Sequence, residues 1–203
     1  MNNNREGYRM LKNKNSRKKF WTITIIVLII LIILSFFAKH LLTKYAEQIQ
    51  SYIKRSITAK VEASEEELIQ VIAEIDSQEI PRYVHRWMKD EDTIPFKELD
   101  NDKITKVFKE FSLILIENNM ENSEGGYVDF AISSDVTHLV WGDYRYGFYY
   151  SEEDSPIDIA TGAKVDCNTK VYDELMPDIK CWYKTEKITD NWWYYEEQWT
   201  YSY

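Results

Sequence analysis

Side chains suited to nucleophilic or metal chemistry are few in this chain and far apart in sequence. The three histidines, His40, His85 and His138, share no metal-ligand spacing on one element. Glycine is scarce, with six residues in all, and the G-x-S-x-G, H-E-x-x-H and phosphate-binding glycine motifs are absent. These observations lean against an enzyme without excluding one, and they predict no catalytic residue, no metal site and no cofactor.

Acidic clusters are the remaining candidates for a metal site. They are residues 90–92, 100–102 and 152–154. A calcium loop needs ligands at alternating positions, a glycine that turns the chain and a distal glutamate, and no cluster has that glycine or glutamate. We interpret them as solvated turns and helix caps. Glu196 and Glu197 adjoin on a predicted strand and point to opposite faces, so the two cannot form a catalytic pair by themselves.

Aromatic residues give the one chemical signal above background. Of the 30 Phe, Trp and Tyr residues, 18 lie between Tyr127 and Tyr203, and in the last predicted strand they occupy both faces. A sheet on a single core buries one face, so either the N-terminal helices cover the second face or rings are exposed. An aromatic core with exposed tyrosine ladders is the alternative to a ligand site. Exposed rings would serve an envelope glycan, a peptide or another membrane protein. The candidate ligand-binding residues are Trp182, Trp192, Trp193, Tyr195, Trp199 and Tyr201.

Residues 20–38, FWTITIIVLIILIILSFFA, form the only run long and apolar enough to leave water. At about 1.5 Å per residue the run reaches roughly 28 Å, close to the thickness of a bilayer core. It predicts a transmembrane helix. A cleaved signal peptide is the competing interpretation. The apolar run is longer than the roughly 7 to 15 residues usual in a signal peptide, and Phe36-Phe37-Ala38 does not supply small residues at both positions of a cleavage site.

Charge on the two sides of the span predicts its orientation. Seven bases and one acid precede the span, whereas four bases follow it more thinly. Because Lys and Arg stay on the cytoplasmic side, we expect the N-terminus inside and the C-terminal domain outside. Residues 1–19 have little to bury and are predicted to be a disordered cytoplasmic tail. The net charge of −9 divides into +6 for this tail and −15 for the rest, which argues against a nucleic-acid partner.

The chain beyond the span is predicted to contain a helical stalk, residues 39–63, and an extracytoplasmic α+β domain, residues 64–203. The 3-4 spacing of apolar and small residues in the stalk predicts one seam, formed by Leu42, Tyr45, Ile49, Tyr52 and Ser56. The seam fits packing on the protein's own domain and leaves open a homodimer through the stalk.

Periodicity divides the domain into a helical half and a strand half. Ser64 and Glu67 form a capping box before a helix over about 65–76, Pro81 suits the first turn of a second helix, and a third begins near Asp100. Strands are predicted over about 112–118, 127–132 and 144–150, followed by a closing hairpin, 179–188 and 192–201. Residues 157–178 lack a clear period and are expected to cross the sheet irregularly. The prediction is helices packed on an antiparallel sheet of about five strands.

The two cysteines, Cys167 and Cys181, both lie on the predicted outer side, where a disulfide can persist. Pairing would close a loop of about 15 residues and stabilise the fold by roughly 3 kcal/mol. Two buried free thiols are the alternative.

Tyr146-Gly-Phe-Tyr-Tyr-Ser151, with acids and Pro156 after it, and then Lys187-Ile-Thr-Asp-Asn-Trp-Trp-Tyr-Tyr195, resembles small bacterial secreted or membrane-anchored proteins. The resemblance covers about the last 60 residues. It implies a bacterial β-hairpin terminus and no activity. Together, these features predict a single-pass bacterial membrane protein whose outer domain has a binding or assembly role, with a cell-envelope enzyme as the alternative.

Overall fold

The computed structural model describes residues 3–77, 83–86, 93–121, 125–133, 143–159, 161–165, 171–176 and 179–201. The chain divides into two compact units, Met1–Gln48 and Ile49–Tyr203. Helix α1, Asn3–Ala63, contributes to both units, and every other described element belongs to the second.

The first unit consists of the N-terminal part of α1. Its large apolar side chains between Trp21 and Leu42 are exposed, as expected of a helix whose surroundings would be lipid rather than protein. Among the described residues, one helix is long and apolar enough to cross a membrane, and a single-pass anchor or a signal sequence would account for it. Residues 3–19, which were expected to be a disordered tail, are described as the first part of helix α1. The adjoining apolar helix removes the cost of nucleation, so Met, Leu, Lys and Arg can extend it.

The second unit is built on an open sheet of eight strands in the order β2-β1-β3-β4-β5-β8-β7-β6. The strands are β1 Tyr83–His85, β2 Thr93–Pro95, β3 Leu115–Asn119, β4 Tyr127–Ser133, β5 Asp143–Ser151, β6 Val171–Met176, β7 Ile179–Thr189 and β8 Trp192–Tyr201. Strands β1 and β2 pair in parallel, and the other pairs are antiparallel. The α+β class is confirmed, but the count of about five strands and the all-antiparallel sheet are wrong.

The missed strands lie in short or irregular stretches. The predicted helix after Pro81 is wrong at Tyr83–His85, because these residues pair with β3 on one side and β2 on the other. Three residues between two strands gain ladder hydrogen bonds that an isolated short helix could not replace. Strand β6 lies in the stretch that was expected to be irregular, and it pairs with β7 through a register shift between Asp173 and Met176.

Two helices pack on one face of the sheet as their apolar stripes predict. Helix α2, Glu65–Ser77, buries all four residues of its stripe: Leu68, Val71, Ile72 and Ile75. Helix α3, Asp102–Glu110, is capped by Asn101, whose side chain accepts a hydrogen bond from the Ile104 amide at 3.0 Å. A single 3-10 turn, Phe96–Glu98, precedes α3, and Phe96 stacks on Phe108 at 4.4 Å between ring centroids. These helices cover the side of the sheet that carries Phe130, Phe148 and Trp192, which we call the first core.

The C-terminal part of α1 also packs on the first core. Ile57 and Val61 are buried there, and Ile53 contacts it. Tyr52, a member of the predicted seam, is 71% exposed. Within the second unit, therefore, the packed face is offset from the seam, and a homodimer through the stalk stays a prediction.

Candidate functional site

Both faces of the aromatic strands are buried, each in a different core. On β8, Trp192 and Tyr194 belong to the first core, whereas Trp193 and Tyr195 point to the opposite face. There they form a second core with Tyr127, Tyr149, Ile157, Ile159 and Tyr183. The cover for this second face comes from the irregular segment after β5, in which Ile157 and Ile159 are buried and Val165 is partly buried. The central strands of the sheet therefore have buried side chains on both faces.

Tyrosine hydroxyls attach this covering segment to the sheet. The Ile157 amide donates a hydrogen bond to the Tyr149 hydroxyl at 2.9 Å, and the Tyr183 hydroxyl donates to the Ile157 carbonyl. The Tyr149 hydroxyl also lies 2.8 Å from the Thr185 hydroxyl, which in turn donates to the Tyr194 carbonyl. Both backbone polar groups of Ile157 are thus satisfied away from water, as buried backbone groups require.

The structure gives different results for the six candidate ligand-binding residues. Trp192 and Tyr195 are 0% exposed and Trp193 is 4% exposed, so these three rings are buried and present no stacking surface to solvent. Trp182 is partly buried against the first core. Trp199 and Tyr201 lie on β8 opposite Cys181 and Ile179, and their side chains are outside the described part.

A glycine makes room for the central ring of the second core. Gly147 of β5 pairs with Tyr195 of β8. A Cβ at position 147 would lie 2.3 Å from the Phe130 carbonyl oxygen and 2.9 Å from the Tyr195 ring, and both distances are far too short for a carbon contact. The bare backbone at Gly147 therefore lets the Tyr195 ring lie flat across β5.

Beside Tyr195, three strands bring a buried charge cluster together. Asp129 of β4 and Glu197 of β8 have fully buried side chains, and the Arg145 side chain of β5 between them is 28% exposed. One Arg145 terminal nitrogen donates to Asp129 Oδ2, and the other lies 3.8 Å from Glu197 Oε2. The guanidinium carbon lies 5.8 Å from the centre of the Tyr195 ring. This cluster is the densest group of buried charges in the described part of the chain.

Burial dominates the electrostatics of the cluster. It raises the pKa of Asp129 to about 6, although Arg145 and the Tyr195 hydroxyl both act to lower it. Burial also raises the pKa of Tyr195, so its hydroxyl stays protonated. Among the described residues, three buried polar groups of the cluster have no partner at hydrogen-bonding distance and angle. They are Asp129 Oδ1, Arg145 Nε and the Tyr195 hydroxyl. An acid poised near neutral pH in a cluster of this kind is a recognised mark of a functional site.

Sequence reasoning missed this cluster because its members are distant along the chain. Asp129, Arg145 and Glu197 come from separate strands, and only the pairing of Arg145 with Glu197 across β5 and β8 brings them together. The expectation that Glu196 and Glu197 face opposite sides is confirmed, since Glu196 accepts from the Tyr194 hydroxyl on the first face. The alternation of side chains along β8 indicated that Glu197 faces away from Glu196, but it did not identify Asp129 and Arg145 as the partners of Glu197.

The structure provides less information on the other candidate sites, which are the disulfide, the histidines and the acidic clusters. In the described ranges no disulfide and no group of three potential metal-ligating residues is present. Cys167 lies outside the described residues, so its pairing with Cys181 stays a prediction. His138 also lies outside them. Asp100 and Asp102 flank the cap of α3, as expected for a helix start.

In comparisons with known proteins, no family model, curated protein or solved structure matches this chain.

The raised pKa of Asp129 predicts a pH-dependent stability. Because the folded state holds this proton more tightly than the unfolded chain, the contribution of Asp129 to stability is greatest below about pH 4 and is lost as the pH rises through about 6. The shift of about two units corresponds to about 3 kcal/mol. We expect the free energy of unfolding of wild type relative to Asp129→Asn to fall by about that amount between pH 4 and pH 7, as measured by urea titration.

Glu66→Gln, which changes an exposed carboxylate on α2, is the matched control and should leave the wild-type profile unaltered. A constant difference between wild type and Asp129→Asn over this range would show that folding does not raise the pKa of Asp129.

Proposed function

We propose that this protein is a single-pass, membrane-anchored module of the bacterial cell envelope, with its N-terminus in the cytoplasm and an extracytoplasmic domain that binds or assembles with another envelope component. The observation that carries the anchoring is the apolar part of α1, whose large side chains from Trp21 to Leu42 are exposed. Leaving about 20 residues of this kind in water would oppose the hydrophobic effect, whereas a bilayer removes the cost.

The orientation rests on charge. Seven bases precede the span, and Lys18 and Lys19 directly adjoin it. Lys and Arg close to a span resist translocation, so the end that carries them stays in the cytoplasm. The −15 charge of the remainder suits a soluble, extracytoplasmic domain.

The burial of the domain's reactive groups favours a binding role over catalysis. The carboxylates that converge, Asp129 and Glu197, are closed off from solvent. Binding is assigned to the open end of the β7–β8 hairpin, opposite the turn at Asp190. Trp182, Trp199 and Tyr201 lie there within a few ladder positions of one another, with Trp182 at a position of the first face and Trp199 and Tyr201 at alternate positions of the other. Aromatic side chains are favoured at binding surfaces for glycans and peptides.

An envelope enzyme is the second candidate, and one observation favours it. Asp129, with its pKa near 6, has the protonation behaviour of a general acid at neutral pH. Catalysis would require substrate to reach it past Arg145, the only partly exposed member of the cluster. The binding role needs no such opening and is therefore preferred.

The anchoring and orientation predict a defined protease pattern. In intact spheroplasts, added protease should degrade the domain beyond residue 39 and spare an epitope on residues 1–19, because the bilayer shields the cytoplasmic end. Immunoblots of both ends provide the measurement. Loss of the N-terminal epitope with survival of the domain would reverse the orientation, and release of the domain without protease would indicate a cleaved signal sequence.

The binding site predicts position-specific crosslinking in cells. A benzophenone amino acid at position 182 or 199 should form adducts with an envelope component under ultraviolet light, because both positions lie at the open end of the hairpin proposed to bind. The same residue at position 164, where the Lys164 side chain is exposed on the covering segment, serves as the control. Mass spectrometry of the adduct would distinguish a glycan, a peptide and a membrane protein. Equal adducts at all three positions, or none at 182 and 199, would remove the hairpin from the binding role.

A further inference from the structure

The basic segment before the span has no partner in the proposed function. It contains seven Lys and Arg residues and a single acid, Glu6, within residues 1–19. Helix α1 begins at Asn3 and continues through this segment into the apolar run. The segment is therefore a concentration of positive charge joined by continuous helix to the part of the chain that would enter a bilayer.

Helix geometry separates these bases into two groups. Lys14, Arg17, Lys18 and Lys19, the proximal bases, lie within about 9 Å of Phe20 along the axis, at about 1.5 Å per residue. The distal bases, Arg5, Arg9 and Lys12, lie about 12 to 22 Å away by the same rise. Since electrostatic attraction fades over about 8 to 10 Å at physiological ionic strength, the proximal group is attracted to a charged bilayer surface more strongly than the distal group for a helix that continues straight.

We propose that Lys14, Arg17, Lys18 and Lys19 form a binding site for anionic phospholipid headgroups at the membrane surface next to Trp21. The site rests on the proposed membrane anchoring. Its support is charge complementarity and position: four cations occupy the six positions immediately before the apolar run, and the one acid of the segment, Glu6, lies at its far end. Each base near an anionic surface strengthens binding by about fivefold.

Trp21 provides a built-in probe of the lipids next to this site. It is 65% exposed on α1 and is separated from Lys19 by one residue. The full-length protein is reconstituted into vesicles of about equal parts phosphatidylcholine and phosphatidylglycerol, with bromine on the acyl chains of one lipid or the other. Bromine quenches tryptophan fluorescence only at close range, so the quenching ratio reports which lipid adjoins Trp21. Trp21→Phe assigns the signal to that residue.

We expect brominated phosphatidylglycerol to quench more strongly than brominated phosphatidylcholine at physiological ionic strength, and the excess to shrink at high salt because the attraction is screened. The proximal variant Lys14→Gln/Arg17→Gln/Lys18→Gln should bring the ratio close to one. The distal variant Arg5→Gln/Arg9→Gln/Lys12→Gln removes the same charge farther from the span and should retain most of the excess.

Three results would overturn the site. A wild-type ratio of one at physiological ionic strength would show no preference for anionic lipid, although quenching by both lipids would leave the anchoring intact. Equal losses in the proximal and distal variants would assign the effect to total charge rather than to the four proximal bases. Absence of quenching by either lipid would show that α1 does not enter the bilayer, and the anchoring would then fail together with the site.

Discussion

Burial of both faces of the central strands is the constraint on which the second unit depends. Strands β4, β5 and β8 carry large side chains on each side, so a one-sided sheet would leave Tyr149, Trp193 and Tyr195 in water. Helices α1, α2 and α3 cover one face, and the segment around Ile157 covers the other. A segment with no helix or strand of its own can cover a dry face because tyrosine hydroxyls satisfy its backbone. This explains why tyrosine, rather than phenylalanine, occupies positions 149 and 183.

The same constraint creates the buried charges. Asp129 and Glu197 occupy positions on the second face that the alternation of β4 and β8 turns inward, and Arg145 offsets their charge. Removing one member would leave an uncompensated buried charge, which is strongly destabilising. The cluster is therefore a point where stability and protonation are linked. Its one partly exposed group, Arg145, is the part of the cluster that an external molecule could meet first.

Local patterns in the sequence predicted the elements whose packing is local. The stripe Leu68, Val71, Ile72 and Ile75 is buried in α2 as its spacing indicated, and the final hairpin turns at Asp190 and Asn191. Features that depend on distant partners were not predicted. Strand β1 was assigned to a helix because its three residues acquire strand character only from β2 and β3. The second core was missed because Ile157 and Ile159 have no periodicity, and without that cover the rings of β8 were expected to be exposed.

The proposed function therefore rests on the apolar and basic parts of α1 and on the open end of the hairpin. This account requires Trp193 to be a core residue rather than a stacking platform. The free energy of unfolding of Trp193→Ala, measured by urea titration, tests the requirement most directly. A buried tryptophan predicts a loss of about 3 to 5 kcal/mol. A loss of less than about 1 kcal/mol, as usual for a surface residue, would contradict the second core and return the ring to the candidate binding site.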